Sequence, residues 1–382
     1  MVNIASAVRA AAPRLLRMTL VVKLGSSIVA ADDGELRVDV LDSVCEQVSE
    51  LERGGERVVL VTSGAIARGM RLLGIATRPK AMDELQAASA VGQGDLFRAY
   101  ESRLAQRGTR GAQVLLTLSD ISERAHYVNA RQTLERLVHW QVVPVINEND
   151  TTSTDEITFG DNDFLAAQVA VLLRARLLIL LTNTDGVFSA DPRTDPEARL
   201  IGDVERWEDL EPQVRIGPET SSFGRGGMGS KVAAARIASE SNVGVTICNG
   251  TTPDTLRAAA RGSSVGTRFA ARSGRQASPY KLWLKYAGRP KGALLVDPGA
   301  AERLRGSGSS LLAVGIAEVR GDFEAGDVVD VATTDGSSLG KGVTEFSARD
   351  LTQIRGLKTE AIREQLPGAA DEVIHRDRFV LL

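Results

Sequence analysis

Val145–Ala170, VINENDTTSTDEITFGDNDFLAAQVA, holds an apolar run that stops in a dense set of carboxylates and amides and then restarts as a helix. Val142–Ile146 reads as a buried strand, Phe164–Leu173 has helical apolar spacing, and Glu148, Asp150, Asp155, Glu156, Asp161 and Asp163 lie between them. In an open α/β sheet, ligands bind in the crevice at the carboxyl ends of the strands. Asp, Asn, Thr and Gly also favour turns, so this stretch alone reads equally as a solvated hairpin.

The unit of apolar strand, small-residue turn and helix recurs on both sides of this segment. Leu20–Leu24 runs into Lys23-Leu24-Gly25-Ser26-Ser27 and then the amphipathic pattern Val38–Arg53; Val58–Val61 runs into Thr62-Ser63-Gly64-Ala65. Ala112–Leu116 is followed by a helix near Asn129–Trp140, and Leu177–Leu181 and Val245–Cys248 are further strands. Short apolar strands alternating with helices predict a mainly parallel sheet covered on both faces, a three-layer α/β/α sandwich over residues 18–271. Residues 1–17, rich in Ala and Arg without an acid, read as a frayed extension left by a non-native or upstream start. Residues 272–280 have linker composition. Residues 281–382 form a smaller β-rich domain with strands at Leu282–Tyr286, Ala293–Val296, Leu312–Val319 and Val328–Val331, a helix near Asp350–Leu366 and a strand near Phe379.

Composition narrows the function. The chain has 382 residues, enough for two domains, with 43% apolar residues, a net charge of −3 and a pI near 5.8, which argues against a general nucleic-acid or membrane-surface protein. Three histidines and two cysteines leave no His- or Cys-rich metal site; Cys45 and Cys248 fit as small core residues of a reducing compartment. No apolar run reaches membrane-spanning length.

No GxxxxGK[ST] loop is present, so phosphate needs another cradle. Lys23 and Gly25 at a strand end are one candidate. Gly224–Lys231, GRGGMGSK, is the other: its glycines permit close backbone approach before the helix Val232–Glu240, and Lys231 sits in the first turn, where the helix dipole disfavours a cation unless an anion is bound. Ser63 suits a substrate carboxylate or a helix cap, and Asn147, Asn149 and Asn162 suit polar substrate atoms or turn backbone. Thr182-Asn183-Thr184-Asp185-Gly186 suits the rim of a nucleotide pocket or a plain series of turns.

VVKLGSS, VTSGAIA, VINENDTT, GDNDFLAA, LLTNTDGVFSADP and GRGGMGSK, in this order, closely resemble the amino-acid kinase family, and specifically its branch acting on the γ-carboxylate of L-glutamate. Lys281–Phe346 resembles the PUA domain attached to many bacterial members of that branch. The resemblance implies phosphoryl transfer from ATP to L-glutamate, the first step towards proline, in the cytoplasm, with Mg²⁺ brought mainly through the ATP phosphates. By resemblance Lys23 and Lys231 contact the transferring phosphoryl group and Asp163 orients them. Ser63, Asp150, Asn162 and Asp161 look like the substrate contacts. Lys23, Gly25, Thr182, Asn183, Arg225, Gly226, Gly227, Met228, Gly229, Ser230 and Lys231 match the nucleotide site. Arg225 and Asn183 depart from the family pattern, which has Thr or Ser and Asp there. Proline feedback inhibition and a homo-oligomer are further expectations, and a kinase acting on acetylglutamate or aspartate is the nearest alternative. RNA binding through the PUA-like part is a reading of another class, and between Lys281 and Leu382 Lys and Arg do not exceed Asp and Glu, which argues against it.

Overall fold

The computed structural model describes residues 19–117, 120, 121, 124–152, 162–210, 227–272, 281, 284, 285, 290–306, 308–365 and 369–382. The extension 1–17, Asp155, Glu156, Asp161, Arg225 and Gly226 lie outside the described residues. The chain divides into two compact units, Met1–Gln276 and Ala277–Leu382.

In the first unit, strands β1 (Thr19–Leu24), β2 (Arg57–Val61), β3 (Arg110–Leu116), β4 (Val142–Glu148), β5 (Leu177–Thr182), β6 (Asp203–Val204), β7 (Gly244–Asn249) and β8 (Thr267–Phe269) form one sheet. Its order is β3-β4-β2-β1-β5-β7-β8-β6. Every neighbouring pair is parallel except β7 and β8. All six residues of β1 are buried, as a central parallel strand covered on both faces requires, whereas edge strand β3 leaves Arg110, Gln113 and Leu115 exposed. Chain connections run outward from β1 in both directions, so β1 and its neighbour β5 form the topological switch point.

The helices of this unit are α1 (Ser26–Val29), α2 (Val38–Arg53), α3 (Ala65–Leu73), α4 (Met82–Gln106), α5 (Arg124–His139), α6 (Asn162–Leu172), α7 (Trp207–Leu210), α8 (Met228–Glu240) and α9 (Thr255–Ala260). In α2, Val40, Leu41, Val44, Cys45, Val48 and Leu51 recur at helical spacing and pack in one cluster with Leu20, Val22 and Leu24 of β1. Strand alternation turns Val21 and Lys23 to the opposite face, where α6 packs on β1. Helix α6 is apolar nearly all round, and only Val171 is less than fully buried, because it lies between the sheet and α8.

Helix α4, 25 residues long, crosses α3 at backbone contact. A Cβ on Gly92 would lie 2.0 Å from the carbonyl oxygen of Ala65, and one on Gly69 would lie 1.7 Å from that of Ala88, so only glycine fits at either position. Gly64 adopts φ +102°, which turns the chain out of β2 directly after Ser63 and into α3.

The second unit holds β9 (Gly292–Val296), β10 (Ile316–Gly321), β11 (Val328–Thr333), β12 (Ser338–Val343) and β13 (Phe379–Leu381), in the order β10-β9-β11-β12-β13. Three helices, α10 (Pro298–Gly306), α11 (Ala348–Ile354) and α12 (Thr359–Gln365), join a core that includes Leu294, Val296, Leu304, Val329, Val331, Leu351, Ile354 and Ile362. Two expectations are corrected here. Within Leu282–Tyr286 the described residues Leu284 and Lys285 are helical, not extended, since a short apolar run does not distinguish a buried helical turn from a strand. The single helix expected over Asp350–Leu366 is two, broken where Gly356 takes φ +77° and donates its N–H to the carbonyl oxygen of Ala313 at 2.8 Å.

Candidate active site

The carboxyl ends of β1, β2, β4 and β5 and the first turns of α6 and α8 bring the polar residues together. Lys23 is the fifth residue of β1, and its Nζ lies 2.6 Å from Oδ1 of Asp163, the second residue of α6. Lys231, in the first turn of α8, places its Nζ 3.1 Å from Oδ2 of the same carboxylate. The Ser230 hydroxyl lies 2.9 Å from Asp163 Oδ2 and 3.0 Å from the Gly227 carbonyl oxygen, with one proton to donate to either. Asp163 is fully buried, and the two lysine side chains are only 5% and 7% exposed. Burial by itself raises the Asp163 carboxyl; the ammoniums of Lys23 and Lys231 and the hydrogen bonds from Lys23 and Ser230 outweigh it and hold the group well below the usual carboxylate range. Asp163 is therefore an anion that aims two cations across the crevice.

Gly227 caps α8 in an extended conformation, so the backbone N–H groups of the first turn, which contains Met228, Gly229 and Ser230, lie beside this cluster. An anion there would meet both the helix N-terminus and the lysines. Gly25 has an ordinary φ of −68°, and a Cβ on it would lie 3.9 Å from Lys23 Nζ, which places this residue beside that ammonium. Thr182 is buried at the end of β5, and Asn183 is exposed after it. The loops after β5 and β7 are tied together there: Gly250 donates its N–H to the Thr182 carbonyl oxygen at 2.8 Å, and Asn249 Nδ2 donates to Asp185 at 2.9 Å.

A second cluster adjoins the first through α6, because Asn162 directly precedes Asp163. Asn162 Nδ2 donates to Ser63 Oγ at 3.1 Å and to Asn147 Oδ1 at 3.1 Å, and Asn147 Nδ2 donates to Gln93 Oε1 at 2.5 Å. Asn162 Oδ1 is buried and accepts nothing from the described residues. Asp150, also buried, accepts a hydrogen bond from the Ser89 hydroxyl. Desolvation pushes the Asp150 carboxyl up to about 6, opposed by the Ser89 hydrogen bond and the field of Arg78.

Of the residues read from the sequence, Lys23, Asp163, Ser230 and Lys231 form one cluster, and Ser63 and Asn162, with Asn147, form its neighbour. Asp161, Arg225 and Gly226 are outside the described residues. Ser89 and Gln93 were not singled out by the sequence; both belong to α4, and within AASAVGQG the only signal is that small and polar residues fall on the helix face that must be buried.

A sheet with this switch point, two lysines about one buried aspartate and an adjoining amide pocket describe an enzyme built to bind anions. The amino acid kinase family model matches residues 18–249, and the PUA domain model matches residues 292–366. Curated relatives called glutamate 5-kinase are similar over nearly the whole length. That of Burkholderia multivorans is 43% identical over 364 residues, covering 95% of this chain and 97% of the relative. That of Chromohalobacter salexigens is 44% identical over 364 residues, covering 95% and 96%. The chain belongs to the amino acid kinase family, in the group of its glutamate 5-kinases. Among solved structures, T. acidophilum isopentenyl phosphate kinase in its product complex is similar with a TM-score of 0.47 and 18% identity, covering 66% of this chain and 99% of that one.

Proposed function

We propose that the protein transfers the γ-phosphoryl group of ATP to the γ-carboxylate of L-glutamate, giving glutamyl 5-phosphate and ADP. The observation that carries this reading is the continuity of the two clusters: Asn162 and Asp163, consecutive on α6, join a pocket of amide and carboxylate groups to a buried pair of lysines.

A side-chain carboxylate with an intrinsic pKa of about 4.3 is ionised near neutral pH, so the nucleophile needs no general base. One of its oxygens forms the new bond to phosphorus as the bond between phosphorus and the β,γ-bridging oxygen breaks, and the departing electron pair stays on ADP. Charge spreads over the transferring oxygens, and Lys23 and Lys231 stabilise it while Asp163 keeps both ammoniums in place. Ser63, Asp150, Asn162 and Asp161 hold glutamate, with Asp150 opposite its ammonium. Gly25, Thr182, Asn183 and the stretch Arg225–Lys231 hold the nucleotide.

Among the described residues, no group of three His, Cys, Asp or Glu side chains could hold a metal ion, and Asp163 is committed to two cations. We infer that Mg²⁺ is brought mainly by the phosphates of ATP.

Burial of Asp150 favours a substrate with a free ammonium over acetylglutamate, which lacks one. Proline also carries a protonated amine and an α-carboxylate, so it competes for the same end of the pocket. Coupled measurement of ADP release tests the reading: turnover requires L-glutamate, and ATP hydrolysis that ignores glutamate sinks it.

A further inference from the structure

The amide chain in the substrate pocket has a direction. Gln93 Oε1 accepts from Asn147 Nδ2, Asn147 Oδ1 accepts from Asn162 Nδ2, and Asn162 Nδ2 also donates to Ser63 Oγ. What remains at the end is Asn162 Oδ1, an acceptor on a residue 6% exposed, to which nothing among the described residues donates. A buried polar atom left unpartnered costs free energy comparable to a lost hydrogen bond, so it marks a place where a ligand donor belongs.

The chain has a second state of equal shape. If Gln93 turned its amide over, it would donate to Asn147, Asn147 would donate to Asn162, and Asn162 would present its NH₂ in place of the bare oxygen. One polarity offers the pocket an acceptor, which suits an ammonium. The reverse offers a donor, which repels one.

Position fixes Gln93 as the residue that chooses. It follows Gly92, whose backbone packs against the Ala65 carbonyl, where even a Cβ would lie 2.0 Å away. Ala65 begins α3, two residues after Ser63. The helix crossing therefore clamps both ends of the chain, Gln93 at one and Ser63 at the other, so the acceptor that Gln93 presents to Asn147 is carried through to Asn162.

From this we infer that Gln93 is a positioning residue that sets the polarity of the Asn147–Asn162 amide chain, so that Asn162 Oδ1 accepts a hydrogen bond from the substrate's α-ammonium and selects an amino acid over its des-amino analogue. The inference rests on the glutamate reading given above and adds the group that enforces it.

The test compares the full-length protein with Gln93→Met, which is close in shape but has no acceptor, and with Gln93→Glu, which accepts only and locks the observed polarity. Dissociation constants are measured calorimetrically for L-glutamate and for glutarate, which keeps both carboxylates and lacks the ammonium, and kcat is measured with L-glutamate. Gln93→Met weakens L-glutamate about tenfold or more, the scale of one hydrogen bond to a charged group, and leaves glutarate within roughly threefold. Gln93→Glu keeps or raises the preference for L-glutamate. A variant that is merely damaged would lose both ligands together, and that result for Gln93→Met, or a lost preference in Gln93→Glu, overturns the inference. Gln93→Glu decides alone if Gln93→Met does not fold. Wild-type protein without glutamate-dependent turnover would overturn the functional reading beneath it, whereas normal turnover with an unchanged glutamate-to-glutarate ratio in Gln93→Met overturns the inference only.

Discussion

Asp150→Asn separates binding from stability. The Asp150 carboxyl is raised from 3.8 to about 6, chiefly by burial. The folded, ligand-free protein thus holds this proton more tightly than the unfolded chain does. Below about pH 4 both states are protonated and the group contributes no loss; between about pH 4 and 6 the unfolded chain ionises while the folded state keeps its proton, so stability falls, and the loss is complete once pH has risen through about 6 and is retained at all higher pH. The rise from 3.8 to about 6 corresponds to a loss of about 3 kcal/mol at pH 7.5. Asn has the same shape, still accepts from Ser89, and never ionises. Asp150→Asn should therefore raise the Tm of the ligand-free protein at pH 7.5 by roughly 5–10 °C, a gain that shrinks to nothing by pH 4. The same variant loses the carboxylate facing the substrate ammonium. In the wild type, KM for L-glutamate should rise about tenfold for each pH unit below 6, as Asp150 takes up its proton; in Asp150→Asn, KM is high throughout and that slope is absent. Thermal unfolding at the two pH values and a KM–pH profile measure both halves. An Asp150→Asn protein less stable than wild type at pH 7.5, or one with the wild-type KM profile, would refute the reasoning.

Lys23→Ala and Lys231→Ala should each lower kcat by roughly 100-fold or more, as loss of a charge that stabilises the transferring group does, and steady-state kinetics showing wild-type kcat in both would exclude their role. Gly92→Ala should unfold at markedly lower denaturant than wild type, because its methyl would meet the Ala65 carbonyl oxygen; Gly94→Ala, two residues on in the same helix with nothing within 4 Å, should be stabilised by up to about 1 kcal/mol, and equal urea midpoints for the two would contradict the packing described. Cys45 and Cys248 are buried thiols pushed up to about 12 by desolvation, so neither should react with a thiol reagent at pH 8 until denaturant unfolds the chain; rapid labelling of native protein would show otherwise.

The sheet was legible because strands such as Val58–Val61 and Leu177–Leu181 lie inside a parallel sheet and read as unbroken apolar runs. The first half of helix α4 was not, because between Leu85 and Leu96 its buried face is built from Ala88, Ser89 and Gly92, whose contrast with the exposed Ala87 and Ala90 is too slight for periodicity to register. Strand β12 escaped for a related reason: its glycines exist for contact, since a Cβ on Gly340 would meet the Val380 carbonyl oxygen at 2.2 Å and one on Gly342 would meet Ile374 at 2.6 Å. At the site, Lys231 was visible as a cation in the first turn of a glycine-led helix, but its meeting with Lys23 on Asp163 depends on the sheet order β1-β5-β7 and on α6 packing against α8. No local spacing encodes that meeting; only the resemblance to a family suggested it. Gln93 and Ser89 had no such guide, because an amide or hydroxyl on a helix reveals its partner only once the crossing that carries it is known.

The most direct test of phosphoryl transfer to glutamate is to trap the acyl phosphate with hydroxylamine, offering L-glutamate, N-acetyl-L-glutamate and L-aspartate separately with ATP and Mg²⁺. The expected result is hydroxamate from L-glutamate far above the other two, abolished in Lys231→Ala. Equal or greater hydroxamate from N-acetyl-L-glutamate would contradict the assignment of this site to a free amino acid.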